Sequence, residues 1–403
     1  MTDLFSPLSI RDTEVPNRIA VSPMCQYSCA TDGLPTEWHR VHLGSRAVGG
    51  AGIVLTEATA VEPRGRITPH DLGIWSDEHA RALEPITEFV REQGSVPGIQ
   101  LAHAGHKASK SRPWEGNEPL VSGGIGGEDD DGDDSAHEDQ NEGANGWEVL
   151  SPSPDAYPFG GEPSIRKMDH EDVETVIEAF RAAARRSLEA GFVVAEIHAA
   201  HGYLLHEFLS PVTNRRDDEY GGSFENRTRL LREVTRAVRE VWPDEQPVFV
   251  RISGTDWLEG LESVADTWTL ESSVRLANQL SELGVDLLDV SSGGLHPEQD
   301  PPTGPNSQVP LAETIRAESA CVSESGSENE SEFEKGLAVG AVGGITEPEQ
   351  ADALIRNERA DLVLVGREFL RDPYFGLRAA DELEVEGESG ETKWPIQYRR
   401  AVR

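Results

Sequence analysis

The sequence predicts an α/β fold, a (β/α)8 TIM barrel carrying acidic loop insertions. Three observations support this. Eight short apolar runs alternate with about eight helical patterns along 403 residues, which is the rhythm of repeated strand–crossover–strand units. The runs are apolar almost throughout rather than alternating, as expected of strands buried on both faces of a parallel sheet. Polar residues gather at the C-terminal ends of those same runs, where a barrel carries its chemistry. A doubly wound sheet is the competing arrangement. No GxGxxG follows any run, so a dinucleotide-binding domain of that kind is not supported.

In chain order the expected strands are Arg18–Ser22, Gly52–Ala58, Val96–His103, Val193–Ala199, Val248–Ser253, Leu287–Ser291, Leu337–Val342 and Leu362–Gly366. Helical periodicity covers residues 37–48, 77–93, 169–190, 225–241, 266–283, 310–318, 347–357 and 373–383. Ser76 or Asp77 starts the second helix. Asp169 starts the third, which Gly191 closes. Two segments interrupt the rhythm: residues 124–146, with nine acidic residues and no basic one, and the similarly polar residues 318–334. Both read as solvated insertions in one domain spanning 1–403. The first falls after the third strand, on the side of the barrel that carries the site.

Charge excludes several classes. Asp plus Glu number 73 against 36 Lys plus Arg, a net charge of −37. Only five of the basic residues are Lys; 31 are Arg. No basic footprint exists for nucleic acid, and an anionic membrane would repel the chain. Such a balance suits a cytosol of very high salt, which screens self-repulsion, and predicts a halophilic protein. Three Cys (Cys25, Cys29, Cys321) without a CxxC cannot form a four-Cys metal or iron–sulfur site. They fit a reducing, cytoplasmic compartment. The N-terminus shows no signal-peptide pattern, and the longest Gly-containing apolar run, residues 337–345, is too short for a membrane span.

The strand ends collect Ser22–Tyr27, Glu57–Ala58, Gln100–His103, His198–Tyr203, Arg251, Ser291–Gly294, Gly343–Gly344 and Gly366–Arg367. The last two clusters follow the seventh and eighth strands, where barrels often hold phosphate with backbone N–H groups; Arg367 adds a bidentate charge. Ordinary turn glycines are the alternative. His198 and His201, spaced HxxH, admit three readings: a metal pair of the zinc-hydrolase kind, buried structural histidines, or neutral donors to a carbonyl oxygen. Against metal, HEFLS is not HExxH and no acidic third ligand stands out, so no metal is expected. Tyr203 stays protonated at neutral pH and could donate a proton.

These residues resemble the Old Yellow Enzyme family. The resemblance rests on SPMCQYS (22–28), TEATAV (56–61), QLAHAGHKA (100–108), HAAHGYLLHEFLSPVTNRRDDEYGGSFENR (198–227), RIS (251–253), VSSGG (290–294), VGGI (342–345), LVLVGREFLRDP (362–373) and PIQYRR (395–400). It covers nearly the whole chain outside the two insertions. Cys25 and the HxxH form resemble the thermophilic-like subclass.

The resemblance implies an FMN-dependent ene-reductase. NADPH or NADH reduces FMN, and hydride then passes to the β-carbon of an α,β-unsaturated carbonyl compound in the same pocket. His198 and His201 would hold the carbonyl oxygen, and Tyr203 would protonate the α-carbon. It further implies that Ser22, Pro23, Met24, Cys25, Ala58, Gln100 and Arg251 line the isoalloxazine and ribityl chain. Gly293, Gly343, Gly344, Gly366 and Arg367 would hold ribityl and phosphate. Cys25 would tune the flavin, Arg251 would face its N1 edge, and Tyr27 would flank an enone or enal substrate. Lys107 matches a pocket position, while the preceding His106 departs from the usual Arg. Arg400 would reach a neighbouring subunit's site in a homodimer or homotetramer, with Tyr398 as support. A dienoyl-thioester reductase of the same superfamily and a non-catalytic flavin-binding protein are the alternatives.

Overall fold

The computed structural model describes residues 2–120, 146–159, 164–319, 337–385 and 393–400. Most of both acidic insertions, and Cys321, lie outside these residues. Eight parallel strands close into a barrel in sequence order: Ile19–Val21, Ile53–Ala60, Val96–Ala102, Val194–Ala199, Val248–Ser253, Leu287–Ser291, Ala338–Ala341 and Leu362–Val365. The eighth pairs with the first through Val363 and Ile19. Each expected run is therefore a barrel strand, with ends shifted by no more than two residues.

Helices pack around the barrel at Glu37–Val48, Asp77–Glu92, His170–Glu189, Leu270–Glu282, Val309–Glu318, Pro348–Arg356 and Phe375–Glu382. Asp169 caps its helix, accepting a hydrogen bond from the Asp172 N–H at 2.9 Å. Two helical expectations need correction. The pattern over 225–241 splits into Phe224–Arg227 and Arg229–Arg239 around Thr228, whose hydroxyl bonds back to the Glu225 carbonyl at 3.3 Å. The pattern over 266–283 begins only at Leu270, because Thr269 is the cap and the Trp268 N–H turns away to donate to Asp256 at 3.0 Å.

An antiparallel hairpin, Leu8–Ile10 with Thr13–Val15, precedes the barrel. Its Leu8, Ile10 and Val15 join Ala20, Ile53, Leu55, Val96, Val194, Phe249, Leu287, Ala338, Leu362 and Leu364 in a buried apolar cluster. These strand residues face the barrel interior near its N-terminal end, and the hairpin plugs that end. With a period of two along each strand, the interior positions further up are Gln100, Glu196, Asp289 and then His198, Arg251 and Ser291. The interior is thus apolar at the bottom and polar towards the top. In the second strand a bulge between Leu55 and Ala58 lets both face inward while Glu57 bonds outside the barrel. Among the described residues, no helix is long and apolar enough to cross a membrane.

Candidate active site

A cavity of about 440 Å³ opens at the C-terminal end of the barrel. Its walls bring together Ser22, Pro23, Met24, Arg251, Gly343, Gly344, Gly366 and Arg367. Gly343 and Gly344 have φ of +122° and +64°. A Cβ on Gly344 would meet the Gly304 carbonyl oxygen at 2.1 Å, so only glycine keeps this wall. Arg367 forms no ion pair among the described residues. Its neighbour Glu368 is bound by Arg371 at 2.6 Å and Arg378 at 3.4 Å, so it does not cancel the Arg367 charge. Gln308, absent from the sequence expectations, also lines the cavity and accepts from the Ser291 hydroxyl at 3.0 Å. Lying in a loop of polar residues, it gave no periodic signal.

Four of the residues expected to bind the cofactor lie off these walls. Gln100 is buried beside them and donates to Glu196 at 2.7 Å. Ala58 borders a small hollow shared with Ile67, Ala104 and Tyr203. Gly293, at φ +93°, has open space where a side chain would stand. Cys25 packs with Tyr27 and Tyr203 against Ile67 and Ala104. Burial, reinforced by Asp71 and Glu57, pushes its thiol pKa up, so it stands as a neutral thiol. Glu57 is the brace of this loop: its carboxylate accepts from the Gln26 N–H at 2.7 Å and pairs with His39 at 3.1 Å.

His198, His201 and Tyr203 converge at the end of the fourth strand. The His198 ring centroid is 5.2 Å from that of His201 and 5.1 Å from that of Tyr203. Burial, with Arg251 nearby, holds both imidazoles well below their usual pKa, so both are neutral. Burial also raises the Tyr203 pKa well above 10. His198 Nδ1 is buried and lacks a hydrogen-bond partner, whereas His201 Nε2 lies 2.8 Å from the Ser291 hydroxyl. Lys107 donates to the carbonyls of His201, at 2.7 Å, and Gly294, and its ammonium lies 5.1 Å from the Tyr203 ring centroid. It ties together the loops after the third, fourth and sixth strands. Burial lowers its pKa to about 7. His106 sits behind, its Nδ1 3.1 Å from the fully buried Glu207.

Tyr27, at φ +51°, stacks edge-on with Trp114 at 5.8 Å. Arg400 is exposed and is not among the residues that line the cavity. Its neighbour Tyr398 lines a surface groove with Val41, Phe89 and Tyr374. Among the described residues the converging metal-type cluster is His170, Asp218 and Glu219 at the surface; His198 and His201 are not part of it.

A closed barrel with glycines and an unpaired arginine after its last two strands has the make-up of a barrel enzyme that binds a phosphate-bearing ligand. The model of the NADH:flavin oxidoreductase / NADH oxidase family matches residues 3–386, and the chain belongs to that family. An NADPH dehydrogenase of Geobacillus thermodenitrificans (strain NG80-2) is 43% identical over 404 residues, covering 100% of this chain and 99% of its own. An NADPH dehydrogenase of Bacillus subtilis (strain 168) is 42% identical over 398 residues, 98% of each chain. A morphinone reductase structure superposes with a TM-score of 0.70 at 25% identity, covering 100% of this chain and 98% of the other. The protein is therefore an NAD(P)H-dependent, FMN-using oxidoreductase of the Old Yellow Enzyme kind. The cavity fits that cofactor: glycines at 343, 344 and 366 put no side chain between the backbone and a ligand, and Arg367 offers an unopposed cation for a phosphate.

Proposed function

We propose that the protein is an ene-reductase, reducing the C=C bond of α,β-unsaturated carbonyl compounds with NADPH or NADH. The observation that carries this reading is the convergence of two neutral imidazoles and a protonated tyrosine beside the cavity, with His198 Nδ1 lacking a partner. When bound, FMN supplies two-electron, hydride-type chemistry. Gly343, Gly344, Gly366, Gly293 and Arg367 would hold its phosphate and ribityl chain. Ser22, Pro23, Met24, Cys25, Ala58, Gln100 and Arg251 would surround its rings.

The side chains supply the rest. Neutral imidazoles can donate hydrogen bonds to a substrate carbonyl, and those bonds strengthen as negative charge develops on the oxygen. His198 brings an unengaged nitrogen to this task. His201 joins it by exchanging Ser291 for the substrate oxygen. Tyr203, held protonated, delivers its proton to the α-carbon. Tyr27 flanks the substrate, and Lys107 fixes the loop that carries His201. Arg400, exposed and outside the walls of its own cavity, would complete a neighbouring subunit's site in a homo-oligomer.

The test is a pair of half-reactions. The purified protein is expected to be yellow, to bleach anaerobically with NAD(P)H, and to recover its colour on adding cyclohexenone. Bleaching without enone-dependent recovery would reduce the protein to a flavin binder and refute the reading.

A further inference from the structure

One layer below the cavity, two carboxylates are sealed inside the barrel with a single guanidinium. Glu196 on the fourth strand and Asp289 on the sixth are both fully buried. Arg251 on the fifth strand stands between them, pairing in register with Asp289. Its Nε lies 3.1 Å from Asp289 Oδ2, and its Nη1 donates to the Ser22 hydroxyl, a cavity wall, at 3.0 Å. Glu196 Oε1 accepts from the Gln100 amide at 2.7 Å, but its Oε2 is buried without a hydrogen-bond partner. No other cation touches either acid among the described residues. His198, the next interior position on the Glu196 strand, is neutral.

Two carboxylates and one guanidinium, all ionised, would leave a net negative charge in a dry layer, which is strongly disfavoured. One proton must stay. Neither Asp289 oxygen has a hydrogen-bond partner, but Asp289 lies at ion-pair distance from the cation, whereas Glu196 contacts only a neutral amide, so the proton resides on Glu196. Burial first, and then the Asp289 charge, raises the Glu196 pKa; the Arg251 charge opposes this.

We propose that Glu196 is a positioning residue that sets, through its proton, how much of the Arg251 charge reaches the bound cofactor. This rests on the placement of Arg251 beside the isoalloxazine. With Glu196 neutral, Arg251 and Asp289 balance, and the guanidinium can stabilise negative charge in the cavity. With Glu196 ionised, the layer is one unit more negative and reduction becomes harder. Reduction by NAD(P)H brings two electrons and one proton and leaves the cavity one unit more negative. That extra charge raises the proton affinity of Glu196 by about tenfold. Across the interval between its two pKa values, Glu196 therefore takes up to about half a further proton from solvent for each reduction and returns it on reoxidation.

The experiment is the midpoint potential of the bound flavin in the holoenzyme, measured by spectroelectrochemistry from about pH 6 to about pH 9. The wild type is expected to show a slope that steepens by about half over part of this range, from one proton per two electrons to about one and a half. Glu196→Gln, which mimics the neutral acid, is expected to keep the single-proton slope throughout and a higher potential at the alkaline end. Reduced-minus-oxidised infrared spectra of the wild type give a readout that needs no variant: a protonated carboxyl band should grow on reduction in the same window and be absent from Glu196→Gln. A constant wild-type slope without that band would overturn the proposal while leaving the ene-reductase reading intact. A protein that binds flavin but does not reduce enones would overturn that reading and leave this one standing.

Discussion

Replacing Arg367 with Ala is expected to weaken FMN binding by about tenfold. Arg367 stands in the cavity wall beside Gly343, Gly344 and Gly366. Its guanidinium has no ion-pair partner among the described residues, so nothing inside the protein has to be broken for it to meet a phosphate. A hydrogen bond to a charged group contributes about 1.5–3 kcal/mol. Arg367 is exposed, so solvent screening puts it at the bottom of that range, about 1.5 kcal/mol, and about 1.4 kcal/mol is a factor of ten. Arg371 lines the same wall, but it donates to Glu368 at 2.9 Å and 2.6 Å; Arg371→Ala should cost less. The assay is titration of apoprotein with FMN, read by quenching of flavin fluorescence, at low salt and in molar KCl. The difference between wild type and Arg367→Ala should shrink in KCl as the charge is screened. Equal affinities for the two proteins at low salt would show that the phosphate is held elsewhere.

Four further outcomes are expected. Tyr203→Phe should slow enone-dependent reoxidation by about 10²–10⁴-fold and leave reduction by NAD(P)H unchanged; equal loss in both half-reactions would remove its proton-donor role. His198 and His201 have folded pKa values well below 6.5, so the folded protein refuses protons that the unfolded chain accepts. Their contribution to stability therefore falls as the pH drops below about 6.5, and Kd for a phenolic carbonyl mimic should show no inflection there; an inflection near that value would show a cationic imidazole in the site. Thermal stability and activity should rise with molar KCl, because the net charge is −37; a protein that works best in dilute buffer would not be salt-adapted. Arg400→Ala should raise the enone KM without changing the elution volume on gel filtration, and an unchanged KM would exclude a shared site.

The barrel was legible because its strands are apolar throughout and because chemistry-bearing residues mark their ends. His198, His201, Tyr203, Arg251 and the Gly343–Gly344 wall could all be located from sequence, since each follows a strand whose run is unmistakable. The short pieces were not legible. The Leu8–Val15 hairpin has strands of three residues, too few to show a period, although it plugs the barrel floor. The same holds for Val149–Ser151 and Ile165–Lys167, which pair across a gap in sequence. Helix Leu204–Leu209 is buried all round, so it has no polar face to reveal it. Glu196 and Asp289 lay in plain view, two residues before His198 and Ser291 on interior faces. Their weight depends on sharing one arginine, and that fact belongs to the closed barrel rather than to either strand.

The excess negative charge and an anionic cofactor are compatible because the two are separated by screening and by local pairing. At physiological ionic strength the field of a surface carboxylate fades within about 8 Å, and high salt shortens that reach further. What the cofactor meets is set by groups in or just behind the cavity wall. There Glu368 is bound by Arg371 and Arg378, Asp289 is bound by Arg251, and Arg367 remains unopposed. Arginine suits each of these positions, because its fork binds carboxylate and phosphate in two directions and its charge survives burial. A chain with 31 Arg and five Lys thus keeps fixed cations where the chemistry needs them while its surface stays acidic. The remaining charge in the layer, Glu196, is the one that can be switched by a proton.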